Sequence, residues 1–130
     1  MTSMKVELLV VTDCPNEKPA GVLLRSALDD IGLSHLEFAT TVIDTPQAAY
    51  ERNFVGSPTI LINGTDPFLD PNQAPALACR VYNTTEGLAG IPDLRDLRRA
   101  LKVGALSAQQ LRQTAGPPSD PSERRRQGWR

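Results

Sequence analysis

The stretch that decides the fold reads Val6-Glu7-Leu8-Leu9-Val10-Val11-Thr12-Asp13-Cys14-Pro15-Asn16. Its first six residues form a nearly continuous apolar run, which is typical of a strand covered on both faces in a parallel sheet. The polar residues from Thr12 to Asn16 interrupt that run. From about Pro19 the apolar residues recur at helical spacing until Gly32, a residue type that commonly follows a helix end. The stretch therefore predicts a strand, a turn that carries a cysteine, and a helix.

The next elements complete a βαβ unit and begin the second half of the domain. Residues 36–43 are rich in β-branched side chains and predict a second strand, parallel to the first. Thr45-Pro46 offers an N-cap followed by proline at the first helical position, so we expect a short helix over 46–53. Thr59-Ile60-Leu61-Ile62 predicts a third strand, and Asn63-Gly64 predicts a turn after it.

The last third of the folded region is harder to interpret. Leu77, Cys79 and Val81 alternate with other residues and predict a fourth strand with one buried face. Pro92 opens a helix with an apolar stripe, and we expect Gly104 to end it. We therefore expect one α/β domain over residues 1–104, built as βαβ-α-ββα around a four-stranded mixed sheet.

The C-terminal residues differ from this domain in charge and composition. Residues 1–103 carry nine Lys or Arg and thirteen Asp or Glu, whereas residues 104–130 carry five Arg and two acidic residues. Residues 105–113 are expected to add a helical turn or two. The Pro- and Ser-rich remainder lacks the apolar content that ordering requires. We expect 105–130 to be a basic, largely disordered tail.

Composition excludes several classes of partner and cofactor. No apolar run approaches the roughly 20 residues that a membrane helix needs, and no secretory leader pattern is present, so we expect a cytoplasmic protein. The basic cluster Arg124-Arg125-Arg126 with Trp129 is too small to predict nucleic-acid binding. Two cysteines and one histidine, His35, give no metal-ligand spacing, so neither a metal nor another cofactor is expected.

Two local pieces carry a resemblance to a known superfamily. They are Val10-Val11-Thr12-Asp13-Cys14-Pro15-Asn16 and Phe54-Val55-Gly56-Ser57-Pro58-Thr59-Ile60-Leu61-Ile62-Asn63-Gly64. With the order of elements, they resemble the thioredoxin-like superfamily over about residues 4–103. The chain is most similar to small bacterial thioredoxin-like proteins with a Cys-Pro-Asn element, some of which are labelled alkylmercury lyase. It has no Cys-x-x-Asp motif that would support carbon–mercury cleavage.

The resemblance implies a site around Cys14 and Pro58. It implies that Pro58 is a cis-proline that approaches the sulfur and offers an edge to the main chain of a thiol substrate. It also suggests that the residues beside these two bind substrate, namely Pro15, Asn16, Ser57 and Thr59. The chain departs from the family at position 17, where Glu17 replaces the resolving cysteine of the Cys-x-x-Cys motif. An ordinary dithiol mechanism is therefore excluded.

The chemistry expected of Cys14 follows from its position before a helix. Unpaired N–H groups and the helix dipole favour a thiolate, which is the nucleophilic form of cysteine. The carboxylates of Asp13 and Glu17 oppose that charge. A loop thiol without turnover remains the alternative interpretation of Cys14.

Cys79 is either a candidate resolving thiol or a small buried side chain. The family's strand order puts it two strand spacings from the first strand, about 9–10 Å. A disulfide tolerates Cα separations up to only about 7 Å, so a direct bond to Cys14 requires movement, or a Cys14 that projects over the sheet end.

Three other features are weaker signals. Gly87-Leu88-Ala89-Gly90 with Asp93 resembles the loop with which glutaredoxins hold glutathione, although an ordinary loop and helix start explain it equally well. The resemblance places His35 far from Cys14, and Tyr82 and Phe68 are expected to have packing roles and not to stack on a cofactor.

We expect single-cysteine thiol redox chemistry, which would make the protein a thiol-disulfide oxidoreductase. Cys14 would form a mixed disulfide or a sulfenic acid, and an external thiol, from a protein or a small molecule, would resolve it. The alternatives are a catalytically silent binding module and a thiolate ligand for a soft metal.

Overall fold

The computed structural model describes residues 4–69 and 72–115, with side chains described as far as Ser107. Strand β1 spans Val6–Val10, helix α1 spans Glu17–Asp30, and strand β2 spans Ala39–Val42. β1 and β2 are parallel, with Leu8 opposite Thr40. The predicted βαβ unit is confirmed. The helix ends where Gly32 adopts a φ of 84° and donates its N–H to the carbonyl of Asp29 at 3.1 Å.

Helix α2 and strand β3 also form where the sequence predicts them. α2 spans Pro46–Glu51, and the Thr45 side chain caps it by accepting the N–H of Ala48 at 3.0 Å. β3 spans Thr59–Ile62, is buried throughout and runs antiparallel to β1. The sheet has the order β2-β1-β3 and is mixed.

The predicted fourth strand of this sheet is wrong. Over the described residues the main sheet has three strands, while β4 (Tyr82–Thr84) and β5 (Gly87–Ala89) form a separate antiparallel pair. The predicted burial is reversed as well, because Leu77, Cys79 and Val81 are exposed whereas Arg80 and Tyr82 are buried. The physical reason is that Arg80 pairs with the buried carboxylate of Asp66.

Helix α3 spans Leu94–Ala115 and passes through the predicted end at Gly104. Gly104 is a packing position, because a Cβ built on it would lie 2.4 Å from the Cγ2 of Ile62 and 3.0 Å from the sulfur of Met4. The domain boundary predicted after residue 104 thus falls inside α3. Residues 116–130, predicted to be a disordered tail, lie outside the described residues.

Two apolar clusters cover the two faces of the sheet. On one face, α1 and α3 contact each other and pack against alternate side chains of β1 and β3. On the other face a smaller cluster joins α2 to the sheet through Leu9, Ile43, Ala49, Phe54 and Leu61. Cys14 belongs to the larger cluster. Within the described part of the chain, none of the helices is long and apolar enough to cross a membrane.

Candidate functional site

Cys14 lies in the turn that leads from β1 into α1. The N–H of Glu17, the first helical residue, donates to the Cys14 carbonyl at 3.2 Å, and Asn16 is the N-cap. The preceding Asp13 has a φ of 58°, a left-handed conformation that Asp adopts more readily than most residues. Only 8% of Cys14 is exposed. The residue thus precedes a helix N-terminus, as predicted, but is largely covered.

The turn before β3 is joined directly to the end of β1. The Ser57–Pro58 peptide bond is cis. The Ser57 hydroxyl oxygen accepts the N–H of Val11 at 3.0 Å, and Val11 precedes Cys14 by three residues. Ser57 and Thr59 are buried beside Pro58. The structure therefore brings together the two pieces of sequence that carry the resemblance.

The main chain of Ser57 is already paired with another segment of the same chain. Its N–H donates to the Ala78 carbonyl at 2.7 Å, and its carbonyl accepts the N–H of Arg80 at 3.0 Å. Cys79 forms a parallel bridge with Ser57 between these two bonds. The edge expected to receive a substrate's main chain is thus occupied by residues 78–80.

Cys79 is an exposed free thiol, so its interpretation as a small buried side chain is wrong. Its segment pairs with Ser57, whose hydroxyl in turn contacts Val11 at the end of β1. The Ser57 segment therefore lies between the end of β1 and the Cys79 segment, the order that the resemblance implies. The role of Cys79 as a resolving thiol stays a prediction.

Arg80 and Asp66 form a buried ion pair that the sequence did not reveal. The two side chains are 2% and 5% exposed, and their closest N–O distance is 2.7 Å. The Arg80 guanidinium also donates to the Thr59 hydroxyl oxygen at 3.1 Å and to the Phe68 carbonyl at 2.6 Å. The Thr59 hydroxyl donates to the Gly56 carbonyl at 2.6 Å. The ion pair thus holds both sides of the Ser57–Pro58 turn.

Tyr82 closes the same network from the other side. Its hydroxyl donates to the Pro58 carbonyl, and its ring lies under the Arg80 guanidinium, 4.7 Å from centroid to Cζ. Phe68 packs edge-to-face against it, with ring centroids 5.5 Å apart. Burial raises the pKa of the Tyr82 phenol, Arg80 opposes the shift, and Asp66 adds to it. The packing roles predicted for Tyr82 and Phe68 are confirmed.

Gly56 makes the close approach of this network possible. Its φ is 152°, and a Cβ built on it would lie 2.8 Å from the Arg80 Cβ and 3.2 Å from its Cα. The Gly56-Ser57-Pro58 stretch offered a sequence signal for the turn. For the ion pair the sequence offers only a weak signal, since Arg80 lies two residues before Tyr82 and would share one face of an extended segment with it.

Residues 87–90 and Asp93, which resemble a glutathione-binding loop, make contacts within the protein itself. The Asp93 carboxylate accepts the N–H of Thr85 at 2.9 Å and so holds the β4–β5 turn. A Cβ on Gly90 would lie 2.4 Å from the Asn16 amide nitrogen, so this connection packs against the Cys14 turn. His35 is exposed beyond the far end of α1, about 21 Å of helix from Cys14.

The described residues contain no group of three or more His, Cys, Asp or Glu side chains arranged to hold a metal ion. No protein-family model, no curated protein and no solved structure matches the chain.

Proposed function

We propose that the protein is a thioredoxin-like domain that performs thiol redox chemistry with Cys14 as its nucleophile. The observation that carries the proposal is the hydrogen bond between Val11 and Ser57, which joins the Cys14 turn to the Ser57–Pro58 turn. The sheet order β2-β1-β3, with α1 and α3 on one face, supports the thioredoxin-like assignment. The proposal places this chemistry in the cytoplasm, where cysteines are kept reduced.

The proposed reaction takes Cys14 through a thiolate, a sulfenic acid and a mixed disulfide, with a hydroperoxide as the two-electron oxidant. The Cys14 thiolate attacks a hydroperoxide, forms sulfenic acid and releases water or an alcohol once the leaving oxygen takes a proton. An external thiol then condenses with the sulfenic acid, releasing water and leaving a mixed disulfide. A second thiol attacks that disulfide, which yields the external disulfide and regenerates Cys14. The small exposed fraction of Cys14 favours reactants of low molecular weight over protein disulfides.

Chemical trapping tests the proposal. The protein is treated with hydrogen peroxide in the presence of dimedone, and the modified residue is located by mass spectrometry. We expect the adduct on Cys14, its persistence in Cys79→Ser and its loss in Cys14→Ser. An adduct confined to Cys79, or none on either residue, would contradict thiol chemistry at Cys14.

A catalytically silent binding module is the second candidate function. The low exposure of Cys14 and the occupied main chain of Ser57 favour it, because both features oppose turnover. In that case Cys14 would stay unmodified under peroxide. A soft-metal ligand is the remaining alternative, and a thiolate-to-metal charge-transfer absorption that requires Cys14 would indicate it.

A further inference from the structure

The connection between β5 and α3 lies against the turn that carries Cys14. A Cβ built on Gly90 would lie 2.4 Å from the Nδ2, 2.9 Å from the Cγ and 3.2 Å from the Oδ1 of Asn16, so the whole Asn16 amide faces Gly90. Ile91, the next residue of the connection, packs against the apolar cluster to which Cys14 belongs. The connection therefore lies beside a cysteine that is only 8% exposed.

The contact with Asn16 explains why position 90 is a glycine. The φ of Gly90 is not positive, so its backbone conformation does not itself require glycine. Carbon atoms that are not bonded approach each other to about 3.5–4.0 Å. A methyl group at position 90 would therefore force the connection and the Asn16 side chain apart by about 1 Å.

The Asn16 side chain lies against Gly90 and does not cap α1. Asparagine is a favoured N-cap residue, because its side-chain oxygen can accept an N–H of the first helical turn. Asn16 is the N-cap residue of α1, but its side chain makes no capping hydrogen bond. Pro19, the third helical residue, has no N–H to donate. Truncation of Asn16 therefore removes the contact with Gly90 without removing a cap.

The connection is not part of the main sheet. β4 and β5, which precede it, pair only with each other within the described part of the chain. At its other end the connection leads into α3, which begins at Leu94. A segment of this kind can move away from Asn16 while the three-stranded sheet stays intact.

We propose that the contact between Asn16 and Gly90 sets the size of the reactants that reach Cys14. The inference rests on the proposed thiol chemistry and names the residues that restrict it to compounds of low molecular weight. While the connection lies on Asn16, only small molecules reach the sulfur. A bulky reactant reaches it only after the connection has moved. Asn16 thus determines specificity through the cover over Cys14 and not by contact with the reacting atoms.

Two alkylating reagents with the same reactive group and different sizes test the proposal. Iodoacetamide is small, whereas iodoacetamidofluorescein carries a bulky dye, and each forms a carbon–sulfur bond with the thiolate and releases iodide. Both rates are measured on the folded protein in a Cys79→Ser background and are divided by the rates with glutathione. We expect the dye reagent to react with Cys14 several-fold more slowly than iodoacetamide on this scale.

Three alanine variants locate the cover. Gly90→Ala and Asn16→Ala should each reduce this size discrimination several-fold, since the first forces the contact apart and the second removes the amide. In the double variant the new methyl group fills the space of the lost amide, so most of the discrimination should return. The control is Gly21→Ala in α1, where a Cβ would meet no atom within 4 Å, and it should leave the discrimination unchanged.

Dependence on urea separates movement of the connection from loss of the fold. Unfolding of the whole domain exposes a large surface, so alkylation by that route accelerates steeply at low urea concentrations. We expect only a weak urea dependence in the single variants. A steep dependence overturns the proposal. So do single variants that keep the original discrimination, a Gly21→Ala variant that loses it equally, or a double variant that loses more than either single variant.

The alkylation measurement is also independent of redox turnover. Cys14 can be alkylated whether or not it forms a sulfenic acid with peroxide. Absence of the dimedone adduct on Cys14, together with the expected alkylation rates, would reject the proposed redox function and leave the cover formed at Asn16 and Gly90 supported.

Discussion

The guanidinium of Arg80 and the carboxylate of Asp66 lie 2.7 Å apart and are almost completely excluded from solvent. Their segments are separated along the chain by residues 67–79, and they meet behind the Ser57–Pro58 turn. A buried pair is costly to form, since both charges lose hydration, and it is more costly to break on one side only.

Removing one member of this pair should therefore destabilise the fold strongly. We expect Arg80→Met to lower the free energy of unfolding by about 3–5 kcal/mol, since it leaves the Asp66 charge buried without its partner. The control is Arg98→Met, which removes an ion pair with Asp30 whose side chains are 36% and 45% exposed. That variant should lose about 0–1 kcal/mol in urea unfolding. Equal losses would show that the buried pair is not the anchor of the turn.

The two helical glycines should respond in opposite directions to alanine. Alanine in a helix interior normally stabilises by about 1 kcal/mol relative to glycine. A Cβ added to Gly21 in α1 would meet no atom within 4 Å, so Gly21→Ala should raise the melting temperature. Gly104→Ala should lower it, because the new methyl group meets Ile62 and Met4. A stabilising Gly104→Ala would mean that α3 shifts away from β3 easily.

Restoring the Cys-x-x-Cys spacing should create a disulfide. The turn closed by the Glu17 N–H and the Cys14 carbonyl keeps Cα atoms three residues apart within about 7 Å, close to disulfide geometry. We expect Glu17→Cys, made in a Cys79→Ser background, to form this bond under mild oxidant. Lys18→Cys is the control and should stay reduced. Mass spectrometry after thiol blocking measures both, and a reduced Glu17→Cys would argue against the turn as described.

Tyr82 should make the stability of the fold sensitive to alkaline pH. Burial raises the pKa of its phenol above the ordinary value, so the folded protein retains a proton that the unfolded chain loses above about pH 10. This contribution is complete below that pH and declines as the pH rises through the folded pKa.

The matched variants are Tyr82→Phe and Tyr50→Phe, since Tyr50 is 75% exposed. Tyr82→Phe should cost about 1–3 kcal/mol near neutral pH, because the Pro58 carbonyl loses its donor, and should show a shallower alkaline decline. Unfolding curves at several pH values measure the slopes. An unchanged slope in Tyr82→Phe would contradict the role of burial.

Local periodicity is enough to predict the first half of the fold. Each of the first five elements has a local signal in the sequence, which is either a spacing of apolar residues or a cap or turn residue at its end. All five are found at the predicted places, namely β1, α1, β2, α2 and β3. The proximity of the Cys14 and Ser57 segments follows from the resemblance and not from periodicity. Their joining contact is a side chain-to-backbone bond that no local pattern encodes.

The second half cannot be predicted in the same way because long-range contacts decide it. The interpretation of the alternation around Cys79 assumes that apolar side chains are buried and arginine is exposed. The Asp66 carboxylate reverses that assignment at Arg80. Similarly, Gly104 is a residue type that often ends a helix, but here it allows α3 to pack closely against Ile62 of β3. Both errors concern residues whose partners lie far away along the chain.

β1 lies between β2 and β3, and this position determines how its amide protons become exposed to solvent. β1 is paired along both of its edges, whereas β4 and β5 pair only with each other within the described residues. Amide protons on β1 are therefore released to solvent only when the sheet itself comes apart, and those of the small β4–β5 pair are released by local opening. Hydrogen exchange should divide the chain into a slow centre around Leu8 and Leu9 and a fast periphery that contains the β4–β5 turn.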